Sequence, residues 1–511
     1  MINLLHRCLL SRIGFFLIAV FFTGWCEDHP IQAAQLYVGG ATVNITPDEP
    51  VAMEGSFRLR IAKSVATPCI ATALAIERRD GDISLEQAIF VSCDLVAIRG
   101  GAAPDADLYA PLRAALKGRI PDNVINKIIL NATHTHTGPL LSEGKFHLPE
   151  TGVMRAADYF EFLMTQLSAV IVQAWDAREP ASVGWGLGHA VIAQNRRTVY
   201  ADGTAVMYGK TDSPTFRGLE GGEDHGVEIL YFWNDRGEPL ATAINVACPA
   251  QAVEGGNAIN ADFWHPVRVM LQEKYGKRLL VLGWIGASGD QSPRPLYRYN
   301  AEERMRKLRG LNPAQSAAKK IVSTWEDVYE VVRRDQHADV ALEHRVETVK
   351  LPYNRVTPAD AKRAQQAIDR NDQAKGLFNR WWYQSVVSRY EQQQQSETLS
   401  YEMELHAIRL GDVAIVTNDF ELFTDYGVQI KACSPALQTF VIQLCGPATY
   451  LPTERAVKGG GYSAIAESNL IGPKGGQVLV NEAVRLVKEI WESPKQDQTR
   501  EKSQTSSEVS Q

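Results

Sequence analysis

The residues best equipped for chemistry are two histidines one threonine apart, in Asn131-Ala132-Thr133-His134-Thr135-His136-Thr137-Gly138-Pro139. Imidazole is the commonest side-chain metal ligand and the usual acid or base near neutral pH. The apolar, branched run Ile128-Ile129-Leu130 leads straight into them and reads as a short buried strand, which Gly138-Pro139 ends. At a strand's frayed end both imidazoles can turn toward one cleft, where one holds a metal and its neighbour moves protons. Taken alone, the pair would read as polar residues capping a strand; the downstream residues reverse that.

Further segments bring reactive groups to strand exits. An alternating strand over residues 182–192 delivers Asn195-Arg196-Arg197, where one arginine can hold an oxyanion or a substrate carbonyl. The alternative is a solvated pair of arginines. A buried strand over 279–284 empties into Gly286-Ala287-Ser288-Gly289-Asp290-Gln291-Ser292-Pro293-Arg294. Such a Gly-rich exit lets backbone and a hydroxyl approach a ligand closely, although no G-x-S-x-G elbow is present. A hairpin over 404–416 leads to Asn418-Asp419-Phe420-Glu421, and a carboxylate there can complete a metal site begun by a histidine. The strand expected over 440–445 runs on to Tyr450, and a Gly-rich stretch follows with Tyr462.

The elements that must position these residues follow from periodicity. Alternation and flanking turns predict strands over 36–47, 69–77 and 87–98, the last two separated by the turn Arg79-Asp80-Gly81-Asp82. A hairpin is expected from 227–233 and 240–247. Helical spacing appears over 111–117, 156–175 and 358–370, and Asp262 is placed to cap a helix running to Tyr275. The aromatic cluster Trp381-Trp382-Tyr383 reads as packing rather than a lipid platform. The fold class is α/β, with mixed sheets flanked by helices and the site built from strand-exit loops.

The chain has 511 residues, 45% of them hydrophobic, enough for a large core. Its net charge of −6 and lack of a basic block argue against a nucleic-acid partner. Residues 1–34 read as a secretory signal: Arg7 and Arg12, an apolar run over 13–22, then the small pair Ala33-Ala34. That run is short for a membrane span, so export to the periplasm or beyond is expected, with an uncleaved anchor as the alternative. Cleavage near Ala34 would leave Cys69, Cys93, Cys248, Cys433 and Cys445, an odd, sparse set that reads as small core residues. Residues 492–511 have the composition of a disordered tail.

With these segments in hand, the chain resembles the catalytic domain of the neutral (neutral/alkaline, non-lysosomal) ceramidases, zinc amidases that split ceramide into sphingosine and fatty acid. The resemblance rests on Gly40-Ala41-Thr42-Val43-Asn44-Ile45-Thr46-Pro47, the His134–His136 stretch, Asn195-Arg196-Arg197 and Gly289-Asp290-Gln291-Ser292-Pro293. It continues through Phe420-Glu421-Leu422-Phe423, Tyr450-Leu451-Pro452-Thr453 and Tyr462-Ser463-Ala464, all in the family's order. It implies a catalytic domain over 35–491 and zinc held by His134, Glu421 and Tyr450. It also implies His136 beside the reacting centre, Tyr462 and Arg196 at the substrate or its oxyanion, and Ser292 near the zinc-bound water. The implied substrate is an amphiphilic N-acyl lipid, which makes contact with a membrane surface an expectation too.

Two departures stand out. The family carries a further zinc-ligand histidine after the strand at 240–247, where this chain has Asn245-Val246-Ala247-Cys248-Pro249-Ala250-Gln251. Cys248, Gln251, Asp262 or His265 can be considered in its place, and His265, in the first turn of the helix beginning near Asp262, is the preferred one. The family's C-terminal immunoglobulin-like domain is not expected here. The leading expectation is thus an exported zinc hydrolase of an amide bond in ceramide or a related N-acyl lipid. Its rivals are a zinc esterase or amidase on a non-lipid substrate, and an exported binding protein with a rearranged metal site.

Overall fold

Eight strands build the larger sheet: β1 (Gln35–Asn44), β2 (Ile70–Asp80), β3 (Ile83–Cys93), β4 (Ile128–Ala132), β5 (Glu179–His189), β6 (Gly226–Asn234), β7 (Pro239–Val246) and β8 (Leu280–Ile285). Their order is β8-β7-β6-β5-β1-β2-β3-β4. The outermost pairs, β3–β4 and β7–β8, are parallel and the rest antiparallel, so the sheet is mixed as expected. β2 and β3 turn at Gly81, whose φ of 59° only glycine adopts without cost. The computed structural model describes residues 34–100, 108–370, 376–396, 399–447 and 449–492. The expected signal segment falls outside them but for Ala34, and the expected tail but for Glu492.

A second sheet, β9 (Leu342–Pro352), β10 (Ser400–Leu410), β11 (Val413–Thr417) and β12 (Gln438–Ile442), runs in that order, with β11 and β12 parallel. Its inner face packs on the larger sheet through one apolar layer that joins Leu36, Phe90 and Leu282 to Ile408, Ile415 and Phe440. Trp284 lies in this layer, 5.0 Å from the Phe90 ring and 5.9 Å from Phe440. Burying each such ring stabilises the contact by about 1.5–3 kcal/mol.

Helices cover the outer faces. α1 (Ala156–Asp176) lies on β1–β4 through Leu163, Leu167 and Ile171, while α2 (Trp264–Tyr275) and α3 (Pro313–Val332) cover β6–β8. α4 (Pro473–Glu492) covers the second sheet through Leu479, Ala483 and Leu486. Each helix shows apolar residues at helical spacing toward its sheet. Of the five cysteines among the described residues four are buried, but Cys433 is exposed, contrary to expectation.

The larger sheet curls until its edges meet: Ser92 Oγ and Asn131 Nδ2 both donate to the Gly283 carbonyl of β8, at 2.8 and 2.9 Å. Curling brings strand exits that are remote in sequence into backbone contact. Ala132 N donates to Leu444 O (3.1 Å), Gln443 N to Ile285 O (2.9 Å) and Ala250 N to Thr133 O (3.2 Å). Gly289 N donates to Leu422 O at 2.7 Å, and Arg196 N to Asp290 O at 2.8 Å.

One local expectation is corrected. Asp262 does not cap α2; Phe263 holds the N-cap position without any side-chain cap. Asp262 instead stands at φ 53° and accepts the N–H groups of Val253 (2.8 Å) and Phe263 (2.7 Å), so its carboxylate is spent on the loop.

Candidate active site

His134 leaves β4 in the left-handed conformation, at φ 64°, which is strained for a residue with a Cβ. The strain is held by pairing with the exit of β3: Thr133 N donates to Cys93 O and His134 N to Leu95 O, each at 2.9 Å. Behind them the buried Asp94 carboxylate receives both guanidinium nitrogens of Arg268, at 2.7 and 2.9 Å, and the Thr133 hydroxyl at 3.2 Å. His134 Nδ1 lies 2.6 Å from Val96 O. A carbonyl only accepts, so Nδ1 carries a proton and the lone pair of neutral His134 sits on Nε2. That nitrogen faces Glu421 Oε2 at 3.3 Å and His136 Nε2 at 3.4 Å.

Glu421 is delivered by a two-residue strand, Glu421–Leu422, paired in parallel with Tyr450–Leu451. Its backbone runs so close to Gly289 that a Cβ there would sit 2.2 Å from the Glu421 carbonyl oxygen. The Gly-rich exit therefore admits backbone of the same chain, where a ligand was expected. Burial pushes the Glu421 carboxyl up, but His134, Arg196 and the Tyr450 hydroxyl outweigh it and hold the pKa at about 2. Burial beside Glu421 lifts the Tyr450 phenol well above its ordinary value. Tyr462 stands edge-on to Tyr450 with ring centroids 5.6 Å apart, and burial raises its hydroxyl to about 12.

His136 forms a second unit. Its Nδ1 is 3.5 Å from Glu254 Oε2, and its Nε2 accepts from Gln251 Nε2 at 2.8 Å. Gln251 Oε1 receives Arg196 at 3.3 Å, and because a guanidinium only donates, the amide orientation is set. It follows that His136 has its proton on Nδ1, toward Glu254, and a lone pair on Nε2. Burial keeps the imidazole pKa below its ordinary value, with Glu254 opposing. Gly55, at φ 82°, lies against the ring; a Cβ there would be 2.5 Å from His136 Cγ.

Arg196 is buried behind these groups. It donates to Gln251, to Gly289 O at 2.9 Å, to Tyr450 Oη at 3.2 Å and to Tyr208 Oη at 3.3 Å. Arg197 is a clamp, tied to Glu220 at 2.6 Å and to Tyr462 O at 2.8 Å. Ser292 is one step removed: its Oγ accepts from Tyr208 at 3.1 Å and from Arg294 N at 3.1 Å.

His265 is not brought to this cluster. It sits half-buried in the first turn of α2, and its charged neighbours are Arg268 and Asp94. The preferred substitute for the missing histidine is thus corrected: His265 does not line the site cavity, because the first turn of α2 sets it beside the Asp94–Arg268 pair. Of the other candidates, Cys248 points its sulfur to Ile192 O and Pro249 O, Asp262 serves its loop, and Gln251 alone reaches the site.

His134, His136, Glu421, Tyr450 and Tyr462 line one cavity of about 90 Å³, together with Glu54, Phe57, Arg99 and Lys145. A larger cavity of about 610 Å³ is lined by Gln251 and Glu254, the two partners of His136, and by Ile192, Val253, Pro293 and Tyr299. Phe57, Trp382 and Tyr462 form an aromatic group at the smaller cavity, with ring centroids 5.5–6.2 Å apart. Trp382 therefore packs as expected, yet on site residues. Among the described residues no group of three or more His, Cys, Asp or Glu is spaced to hold a metal. What converges is one imidazole lone pair, one ionised carboxylate and one phenol, a nitrogen–oxygen donor set that suits a three-ligand zinc. Gln251, Glu254, Tyr208, Glu54, Arg99 and Lys145 carry no motif; apart from Gln251's position in the departed stretch, nothing in the sequence singles them out.

No family model and no curated protein matches the sequence. Solved structures do. The crystal structure of neutral ceramidase from Pseudomonas aeruginosa superimposes with a TM-score of 0.63 at 15% identity, over 89% of this chain and 75% of that one. A structure described as ceramidase complexed with C2 gives 0.62 and 15%, over 89% and 76%. The chain has the fold of the neutral ceramidases.

Proposed function

We propose that residues 35–491 are the catalytic domain of a zinc-dependent hydrolase that cleaves the amide bond of ceramide or a related N-acyl lipid. The observation that carries this reading is the convergence of His134, Glu421 and Tyr450 beside a His136–Glu254 dyad, on a ceramidase-like fold. His134 Nε2, Glu421 and Tyr450 would hold the metal. A bound zinc ion would polarise the amide carbonyl and acidify water.

The chain's own residues account for the proton transfers. His136 Nε2 exchanges its hydrogen bond from Gln251 for the attacking water and takes that water's proton, and Glu254 stabilises the resulting imidazolium through Nδ1–H. The new carbon–oxygen bond forms, and the Tyr462 hydroxyl donates to the oxyanion. The carbon–nitrogen bond then breaks as His136 returns its proton to the leaving nitrogen, giving a carboxylic acid and an amine. Arg196 acts through Gln251 and Tyr450, and Ser292 through Tyr208. The larger cavity, walled in part by Ile192, Val253, Pro293 and Ala317, has the size for an acyl chain.

Export through the N-terminal segment belongs to the same proposal, as does action at a membrane surface. Among the described residues no helix is long and apolar enough to cross a membrane. The test is to incubate the purified chain with a lipid extract, identify released fatty acid and amine, and measure zinc in wild type and His134→Ala. Zinc near one per chain with fatty-acid release, both lost in His134→Ala, supports the reading. Release that persists in His134→Ala and His136→Ala would end it.

A further inference from the structure

The small cavity contains a charge arrangement that amide hydrolysis does not use. Glu54, 2% exposed, is paired with Lys145, 6% exposed, and both line the cavity beside His134 and His136. The carboxylate is ionised: burial opposes this, but Lys145 and Arg99 lower its pKa. Lys145 and Glu54 therefore offset one another.

Arg99 is left over. Its side chain is only 20% exposed and lines the same cavity, yet its guanidinium makes no hydrogen bond among the described residues. Among the described residues its nearest carboxylate oxygen, Glu54 Oε1, is 3.6 Å from Nη2 and is already taken by Lys145, and the buried Nε has no partner. The Arg99 charge also reaches Tyr462 and works against the burial that raises that hydroxyl. Leaving guanidinium donors unmet in a half-closed site costs free energy unless a ligand meets them.

We infer that Arg99 receives a carboxylate on the substrate, so that the substrate is an N-acyl compound with an acidic amine portion, such as an N-acyl amino acid, rather than neutral ceramide. This rests on the hydrolase reading above. A planar guanidinium matches a carboxylate in two parallel hydrogen bonds. Arg99 is the one cation lining the cavity with no hydrogen-bonded anion among the described residues, which suits a ligand of one negative charge; a phosphate dianion would leave excess charge in a small buried cup. The cavity of about 90 Å³ admits such a group but not an acyl chain, which leaves the larger cavity for the chain.

The test compares N-dodecanoylglycine, N-dodecanoylglycinamide, N-dodecanoyl phosphoethanolamine and an N-dodecanoyl ceramide as substrates of the full chain. The wild type is expected to favour the free acid over its carboxamide in kcat/KM by at least about tenfold. Arg99→Leu should bring that ratio toward one, and Arg99→Lys, which keeps the charge without the fork, should restore part of it. A wild-type ratio at or below one, a ratio unchanged in Arg99→Leu, or preference for the phosphate or ceramide would overturn the assignment while leaving the hydrolase reading intact. If none of the four is cleaved, the hydrolase reading fails and calorimetry decides the site. In a His136→Asn background, tighter binding of the acid than of the carboxamide, lost on adding Arg99→Leu, supports it; equal binding overturns it.

Discussion

Glu421 and Tyr450 are direct register partners in a parallel ladder only two residues long, and that pairing turns both side chains to the same side, toward His134. Partners across a ladder project to one face, so the carboxylate and phenol arrive together or not at all. Glu421→Gln keeps the shape and removes the charge. We expect kcat/KM to fall by at least about a hundredfold, the scale of losing one preorganised polar contact at a reacting centre. Bound zinc, measured by mass spectrometry of the metal, should fall with it; full zinc retention would contradict the ligand role.

Gln251 joins Arg196 to His136 through the two ends of one amide. Gln251→Leu leaves the His136 lone pair and an Arg196 donor without partners. Steady-state kinetics should show kcat lowered by about tenfold, about the worth of one buried hydrogen bond. An unchanged kcat would reduce Gln251 to a wall of the larger cavity.

The Asp94–Arg268 pair supports the strained exit that carries His134. Arg268→Ala strands a fully buried carboxylate, and equilibrium urea unfolding should show a loss of about 3–5 kcal/mol. The double variant Asp94→Leu/Arg268→Leu, which removes both charges, should recover much of that. If the single variant loses less than the double, the pair is not what holds this corner.

His344 and His406 lie outside the site cavity, buried together, with His344 Nε2 and His406 Nδ1 2.9 Å apart. Burial lowers both pKa values below the ordinary 6.5, that of His344 the further because the His406 imidazole adds to it, while Glu404 opposes the shift of His406. A depressed folded pKa means the unfolded chain binds protons first. Their stabilisation is therefore complete above pH 6.5 and is lost progressively as pH falls below it. Thermal melts from neutral pH down to about pH 5 should show a falling midpoint, and His344→Gln should flatten that slope. A parallel slope in the variant would assign the acid loss to other groups.

The sequence by itself determined the elements. Alternation in β1 to β3, the hairpin of β6 and β7 and the helical spacing of α1 are local patterns, because burial of one face dictates residue type at a fixed short period. It also marked His134, His136, Glu421, Tyr450 and Tyr462 as chemically able residues at strand exits. Tertiary structure alone decided which exits meet. The curl of the larger sheet, closed by hydrogen bonds from Ser92 and Asn131 to Gly283, brings residues hundreds of positions apart into one cavity, and no local period encodes it. His265 shows the same limit: proximity in sequence to the departed histidine suggested it, while the helix places it beside Arg268. Glu254 and Arg99 were silent, and Gln251 was one candidate among four, for the complementary reason. A polar side chain in a loop has no periodic context, so its meaning is set only by the partner that folding puts across from it.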